Sequence, residues 1–159
     1  MIIRQATIND APAVAELTNT LIRDTTITFK SEPTTPEKQA AAIAERGPAF
    51  LVSYEGDTFL GYATYFPFRG ADGYRHTVEQ TIALASAARG KGIGTQLMTQ
   101  LFANARAQGI HSVFAGVSAE NLAGVAFHAK LGFTELARLP EVGRKFDRWL
   151  DLVLMRKML

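Results

Sequence analysis

Ahead of a predicted helix stands Arg89-Gly90-Lys91-Gly92-Ile93-Gly94, a run whose natural chemistry is anion binding. Glycines let the backbone turn tightly with its amides outward, and a following helix adds unpaired N–H groups and the positive end of its dipole. That combination cradles a pyrophosphate, and Arg89 and Lys91 add charge at its rim. Two familiar phosphate loops fail on spacing. A triphosphate loop needs Gly-Lys followed directly by Ser or Thr, whereas Gly92 follows Lys91. The dinucleotide fingerprint has its third glycine one residue later than here. The plain alternative is a cluster of helix-capping glycines.

Upstream, Glu79 is a lone carboxylate in the otherwise uncharged run Thr77 to Leu84. Val78, Ile82 and Leu84 share one strand face, so Glu79 points to the other with Thr81 and Ala83. A carboxylate in a central strand is costly unless it is paired or opens on a cleft. Partial burial would raise its pKa toward that of a useful base, acting directly or through a water. The competing assignment is an ion pair with Arg75 or another cation. His128 lies on a predicted helix, where an imidazole can donate a proton or simply pack. Asn121 can cap that helix. The chain has no cysteine, which excludes disulfides, thiolate metal sites and a cysteine nucleophile. His76 and His111 have no third ligand type beside them, so no metal is expected.

These residues need a scaffold, and the chain supplies punctuation for one. Ile2 to Ala6 reads as a strand. Asn9 or Asp10 caps a helix with Pro12 in its first turn and Ala13, Val14 and Leu17 inward. Thr25 to Pro33 reads as a loop. Thr34 or Thr35 caps a second helix with Ala40, Ile43 and Ala44 inward, ended by Gly47-Pro48. Ala49 to Tyr54 and Thr58 to Phe66 form a hairpin around Glu55-Gly56-Asp57. A loop over 67–75 leads to the strand Thr77 to Leu84. The glycine run then opens a helix with Ile93, Leu97, Leu101 and Ala105 on one face. Ser112 to Val117 is a buried strand. Asn121 begins a helix with Val125, Phe127 and Leu131 inside, and Phe133 to Leu139 and Arg148 to Met155 are the last strands. Hairpins among alternating strands and helices give a mixed α/β domain.

Arg89 to Gly94 with Leu97, followed by Asn121-x3-Val125-Ala126-Phe127-His128-x3-Gly132-Phe133, resembles the two signatures of the GNAT superfamily of N-acetyltransferases. Thr25 to Phe29, Tyr74 to Glu79 and Val142 to Asp151 are similar to its phosphinothricin and methionine sulfoximine acetyltransferase branch. The resemblance spans nearly the whole chain; Ser86 departs from it, where the superfamily often has proline. It implies one GNAT-like domain over 1–159, with a central, mostly antiparallel mixed sheet flanked by helices and splayed near Leu84 at the acetyl-CoA site. It also implies acetyl transfer from acetyl-CoA, as co-substrate, to a small-molecule amine such as an amino acid or its analogue. With no cysteine, direct transfer in a ternary complex follows.

The resemblance assigns acetyl-CoA to Ile82, Ala83, Leu84, Arg89, Gly90, Lys91, Gly92, Ile93, Gly94, Thr95 and Asn121. Catalysis falls to Glu79 and to His128, which stands where many relatives carry a tyrosine near the sulfur. Substrate contacts fall to Phe29, Tyr74, Arg75 and Glu79, since a guanidinium suits an amino-acid carboxylate. Lys145 serves either ligand or merely solvates a loop, and Trp149 belongs to core or interface. Relatives imply a homodimer. Other readings are a polyamine or peptide N-terminus as acceptor, or a non-catalytic acyl-CoA sensor. Glu32, Asp72 and Glu79 mixed with Lys30, Arg69 and Arg75 suit a zwitterion better than a polyamine.

The bulk numbers agree with this scale. The 159 residues fit one domain. Net charge is +2, with a pI near 9.0, which fits a basic cleft and gives no case for nucleic acid. Met1-Ile2-Ile3-Arg4 lacks the apolar core of a signal peptide, and no run approaches the roughly 20 apolar residues of a membrane span. A cytoplasmic protein is expected.

Overall fold

A computed structural model describes all 159 residues, Met1 to Leu159. Its strands are β1 (Ile2–Gln5), β2 (Phe50–Glu55), β3 (Thr58–Pro67), β4 (Thr77–Leu84), β5 (Ser112–Ser118), β6 (Thr134–Lys145) and β7 (Arg148–Met158). The helices are α1 (Ala11–Asp24), α2 (Pro36–Arg46), α3 (Ile93–Ala107) and α4 (Leu122–Lys130). One sheet runs β1-β2-β3-β4-β5-β7-β6, and only β4–β5 is parallel. No helix is long and apolar enough to cross a membrane.

Strand alternation divides the core. Val78, Val113, Ala115 and Val153 pack with Leu97, Met98 and Leu101 of α3. Phe50, Val52, Tyr62 and Ala83 pack on the other face with Val14 and Ile43 from α1 and α2. The helix ends follow local chemistry. Thr35 accepts from the Lys38 N–H at 3.3 Å, with Pro36 in the first turn, and Asn121 accepts from the Gly124 N–H at 2.9 Å.

The parallel pair is short. β4 and β5 match only at Thr77–Ser112, Val78–Val113 and Glu79–Phe114. Beyond that point β4 stays on β3 as far as Leu84, and β5 stays on β7 as far as Ser118. The sheet therefore parts from Gln80 onward, earlier than the expected split near Leu84. The Thr77 carbonyl accepts from Phe68 and the Ala85 N–H donates to Leu60, so odd-numbered positions of β4 turn their backbone to β3. Alternation turns the N–H and C=O of Ile82 and Leu84 toward the gap. Ala83, expected to offer its backbone too, closes on β3 instead.

Three details differ from the sequence reading. Ala44 is exposed, and the inward face of α2 is Ile43 with Ala40 half-buried. In α4 the buried residue is His128, while Val125, Phe127 and Leu131 are only partly covered. β6 does not stop at Leu139 but resumes at Gly143 after a register shift, with Glu141 at φ 53 and its N–H on the Asp151 carboxylate.

The entry to α1 rests on Asp10, 3% exposed. Its carboxylate accepts two guanidinium bonds from Arg4 at 2.8 Å, the Thr7 N–H at 2.7 Å and the Tyr54 hydroxyl at 2.9 Å. Burial alone would raise its pKa, but these donors outweigh burial and hold the carboxyl well below the usual range. Asp10→Ala should cost about 3 kcal/mol, because it removes the one buried acceptor shared by the Thr7 N–H, the half-buried Tyr54 hydroxyl and the exposed Arg4 guanidinium. For a chain of this size that is roughly 6–12 °C in Tm. Because the folded pKa is depressed, this stabilisation is complete above the unfolded value of about 4 and is lost as pH falls below it. Melts across the acid range should show the gap between wild type and variant closing below that point.

Candidate active site

The gap between β4 and β5 widens into a cleft of about 770 Å³. Thr18 and Leu21 of α1, Ile27 to Lys30, Glu79 to Leu84, Arg89-Gly90, Gly116 to Ser118, and the first half of α4 line it. The sequence-selected residues Phe29, Glu79, Ile82, Ala83, Leu84, Arg89, Gly90, Asn121 and His128 therefore meet in one place.

At one end is the glycine run. Gly90 and Gly92 have φ of 74 and 75, a left-handed backbone that favours glycine, and a β-carbon on either would meet open space. Gly92 caps α3 without a side chain, so the first-turn amides of Ile93, Gly94 and Thr95 open outward uncapped. Gly94 has a different purpose. A β-carbon there would lie 3.0 Å from Leu84 and 3.2 Å from the Phe127 ring, so its absence lets α3 close on the end of β4 and on α4. The Ile93 side chain is buried in the core, while Lys91, Gly92 and Thr95 are exposed beyond the cleft lining.

Glu79 hangs half-buried in the cleft without a hydrogen-bond or ion-pair partner. Burial pushes its carboxyl pKa up, and no cation offsets this. Gly116 on β5 makes room for it: a β-carbon there would sit 3.1 Å from Oε1. Arg75, the alternative partner, is exposed and donates through Nε to His76 at 3.1 Å. Arg75 and Tyr74 do not line the cleft. They belong to a turn before the start of β4, the end still zipped to β5, where Tyr74 packs edge-on against Phe68.

His128 is 6% exposed, its ring edge-on to Phe127 and Phe133. Its Nδ1 lies 2.7 Å from the Gly124 carbonyl, which can only accept, so Nδ1 carries the proton. Nε2 then takes a hydrogen bond from the Gln80 amide at 2.7 Å. Burial lowers the pKa, and the Gly124 bond only partly opposes this. The neutral ring thus accepts at Nε2, whereas the acid role expected from sequence requires a proton there.

The far wall is the loop carrying Ile27, Thr28 and Phe29, and the last hairpin holds it. Lys145 neither binds a ligand in the cleft nor solvates a loop: it is 4% exposed and donates to the Thr25 and Thr28 carbonyls at 2.7 and 2.9 Å. The Phe29 ring lies against Gly143, where a β-carbon would collide with it. Thr18 and Tyr62 join hydroxyls at 2.9 Å beside this wall, and Thr18 also donates to the Val14 carbonyl at 2.7 Å, so Tyr62 is the donor between them. Sequence reasoning missed Gln80, Thr18 and Tyr62, and misassigned Lys145. A polar residue next to Glu79 on the same strand was the available signal for the first. Trp149 is 56% exposed, with the Arg144 guanidinium 4.9 Å from its ring centre.

Comparison with known proteins follows this geometry. A family model described as Acetyltransferase (GNAT) family matches residues 14–133. An L-methionine sulfoximine/L-methionine sulfone acetyltransferase of Pseudomonas paraeruginosa is 37% identical over 158 residues, covering 97% of this chain and 92% of that protein. A phosphinothricin N-acetyltransferase of Streptomyces coelicolor is 36% identical over 156 residues, covering 94% and 91%. The structure of the acetyltransferase yncA from Salmonella typhimurium with its cofactor acetyl-CoA superposes with a TM-score of 0.95 at 35% identity, covering 100% of this chain and 94% of that one.

Lys145→Met should release the loop without unfolding the sheet. Trypsin cleavage after Lys30 should then accelerate by at least about tenfold while the melt stays cooperative, since local opening is limited by the few contacts that hold a segment. Limited proteolysis with mass analysis reads this directly.

Proposed function

Because this chain belongs to the acetyltransferase (GNAT) family, we propose that its acceptor is the amine of a small amino acid or close analogue, of the methionine sulfoximine or phosphinothricin type. The chain is an acetyl-CoA-dependent N-acetyltransferase. Acetyl-CoA supplies an acetyl thioester whose carbonyl carbon a neutral amine can attack. The cleft fits such a co-substrate: one end presents uncapped amides beside Arg89 and Lys91, and the parted strand offers the unpaired backbone groups of Ile82 and Leu84. The first set suits a pyrophosphate, the second the amides of a pantetheine arm. Asn121 spends its side-chain oxygen on the α4 cap and keeps its amide N–H groups for the same arm.

The observation that carries this reading is Glu79, a partnerless, half-buried carboxylate beside the unpaired edge of β4. Its raised pKa suits it to take the proton from the incoming ammonium, directly or through a water. Glu79 is the sole carboxylate lining the cleft, with Lys30 and Arg89 as the cations. A polyamine would call for several carboxylates, whereas this balance suits a zwitterion. Leu21, Ile27 and Phe29 make the wall apolar, matched to a short aliphatic side chain. Within one chain Lys30 rather than Arg75 is the cation near the acceptor's carboxylate. His128 serves the leaving thiolate only when Nε2 holds a proton.

The reading extends to a homodimer, supported by Val142, Phe146 and Trp149, large apolar side chains exposed on the last hairpin. It also places the enzyme in the cytoplasm, where acetyl-CoA and free amino acids meet.

Thiol release measured across a panel of amino acids, polyamines and short peptides tests the acceptor; highest kcat/KM on a polyamine or peptide overturns the proposal. Glu79→Gln keeps shape but loses the base, so kcat should fall roughly 100-fold or more with acetyl-CoA affinity unchanged. The base must be ionised, so wild-type kcat/KM should drop as pH falls through the raised pKa, and the variant should lose that acid limb. A merely structural carboxylate would leave kcat and KM near normal. Gly92→Glu should abolish acetyl-CoA binding in calorimetry, because its carboxylate opposes the phosphates at the amide cradle.

A further inference from the structure

Gln80 is 5% exposed and sits on the α3–α4 side of β4, opposite in direction to Glu79. Its amide nitrogen meets His128 Nε2 at 2.7 Å, while its Oε1 is buried without any partner. A buried amide oxygen left unpaired is costly, and both groups line the cleft. The Gly124 carbonyl fixes the Nδ1 proton in either charge state of the ring. Only Nε2 can change. When Nε2 is bare, the Gln80 NH2 donates to it; when Nε2 is protonated, a half-turn of the amide brings the idle Oε1 round to accept.

We propose that Gln80 is a positioning residue for His128, turning its amide to pair Nε2 in both protonation states so that the imidazole can take up and release one proton at the cleft. This rests on the reading that His128 serves proton transfer in the acetyl-transfer reaction. The proton balance is simple: Nε2 takes a proton from solvent water entering the cleft before transfer, and gives that proton to the thiolate sulfur as the carbon–sulfur bond of the thioester breaks, ending neutral. The surroundings leave the task to Gln80. Lys130 on α4 is exposed, Lys157 of β7 reaches Gly132 and the Phe102 ring, Glu79 hangs from the other side of β4, and Arg106 lies exposed at the end of α3. None of them bonds to the ring. Phe127 and Phe133 hold its plane edge-on, so the amide turns more readily than the imidazole.

The test is long-range 1H–15N spectroscopy of histidine-labelled protein, titrated for wild type, Gln80→Leu and Gln80→Glu, with His128→Asn to assign the signal. Wild type should show the Nδ1–H tautomer at mildly alkaline pH. Gln80→Leu should bind the His128 proton at least about tenfold more weakly, and Gln80→Glu about tenfold more tightly, one pH unit either way. Gln80→Leu should also lower kcat while the acceptor KM and acetyl-CoA affinity stay near wild type, and Gln80→Glu should move the pH profile of kcat upward. Melts on each variant separate these effects from loss of fold, and Gln80→Met replaces leucine if that variant proves unstable. His128 titrations that overlay in all variants would overturn the proposal. Normal turnover in His128→Ala would instead overturn the underlying role of His128, whatever the spectra show.

Discussion

The three-residue parallel pairing of β4 with β5 is the constraint on which the site depends. Two neighbouring strands can diverge only if each is held by its other neighbour, because an unpaired backbone edge inside a protein is costly. Here β3 secures β4 through Leu84, and β7 secures β5 through Ser118. The antiparallel flanks thus satisfy half the backbone of each strand and leave the other half facing a cleft where a ligand with amides of its own can complete it. A sheet fully zipped at this position would have no site.

Once parted, the strands must be kept apart by side chains that tolerate polarity. Polar groups cluster around the opening and are mostly bonded to one another: Gln80 to His128, His128 to Gly124, Tyr62 to Thr18, Lys145 to the Thr25 and Thr28 carbonyls. The unpaired atoms among the cleft-lining residues, Gln80 Oε1 and Ser118 Oγ, are buried at the opening itself. Buried polar groups without partners are rare and costly, and here they coincide with a site whose chemistry needs protons to move. Glu79 belongs to the same economy, kept half-buried and without a counterion, so that its basicity is raised.

Much of this was legible in the sequence because it rests on local rules. Alternation placed Glu79 opposite Val78 and Ile82, and the glycine run before Leu97 marked a helix start, whose first-turn amides have no side-chain cap. Capping residues and hairpin glycines located most element ends. What was not legible depends on contacts distant in the chain. Lys145 reads as a solvated loop residue until β6 is seen to continue past its bulge and bring the ammonium onto carbonyls 117 and 120 positions away. His128 reads as a donor until Gly124, one helical turn back, claims its Nδ1 proton. Arg75, with Tyr74, reads as a substrate contact because a guanidinium suits an amino-acid carboxylate, yet both lie in the turn before β4, at its zipped end.

Glycine sterics explain why the cleft keeps its shape. Gly61 on β3 has φ 146, and a β-carbon there would strike the Ala83 carbonyl and crowd Leu84, pushing β4 toward the gap. Gly94 lets α3 close over Leu84 and Phe127, Gly116 leaves the Glu79 carboxylate its space, and Gly143 receives the Phe29 ring. Each is a point where one wall of the cleft touches its support without an intervening side chain. Close-packed contacts of this kind cannot give without displacing backbone. The opening is therefore set by the scaffold, through backbone contacts that hold each wall against its support.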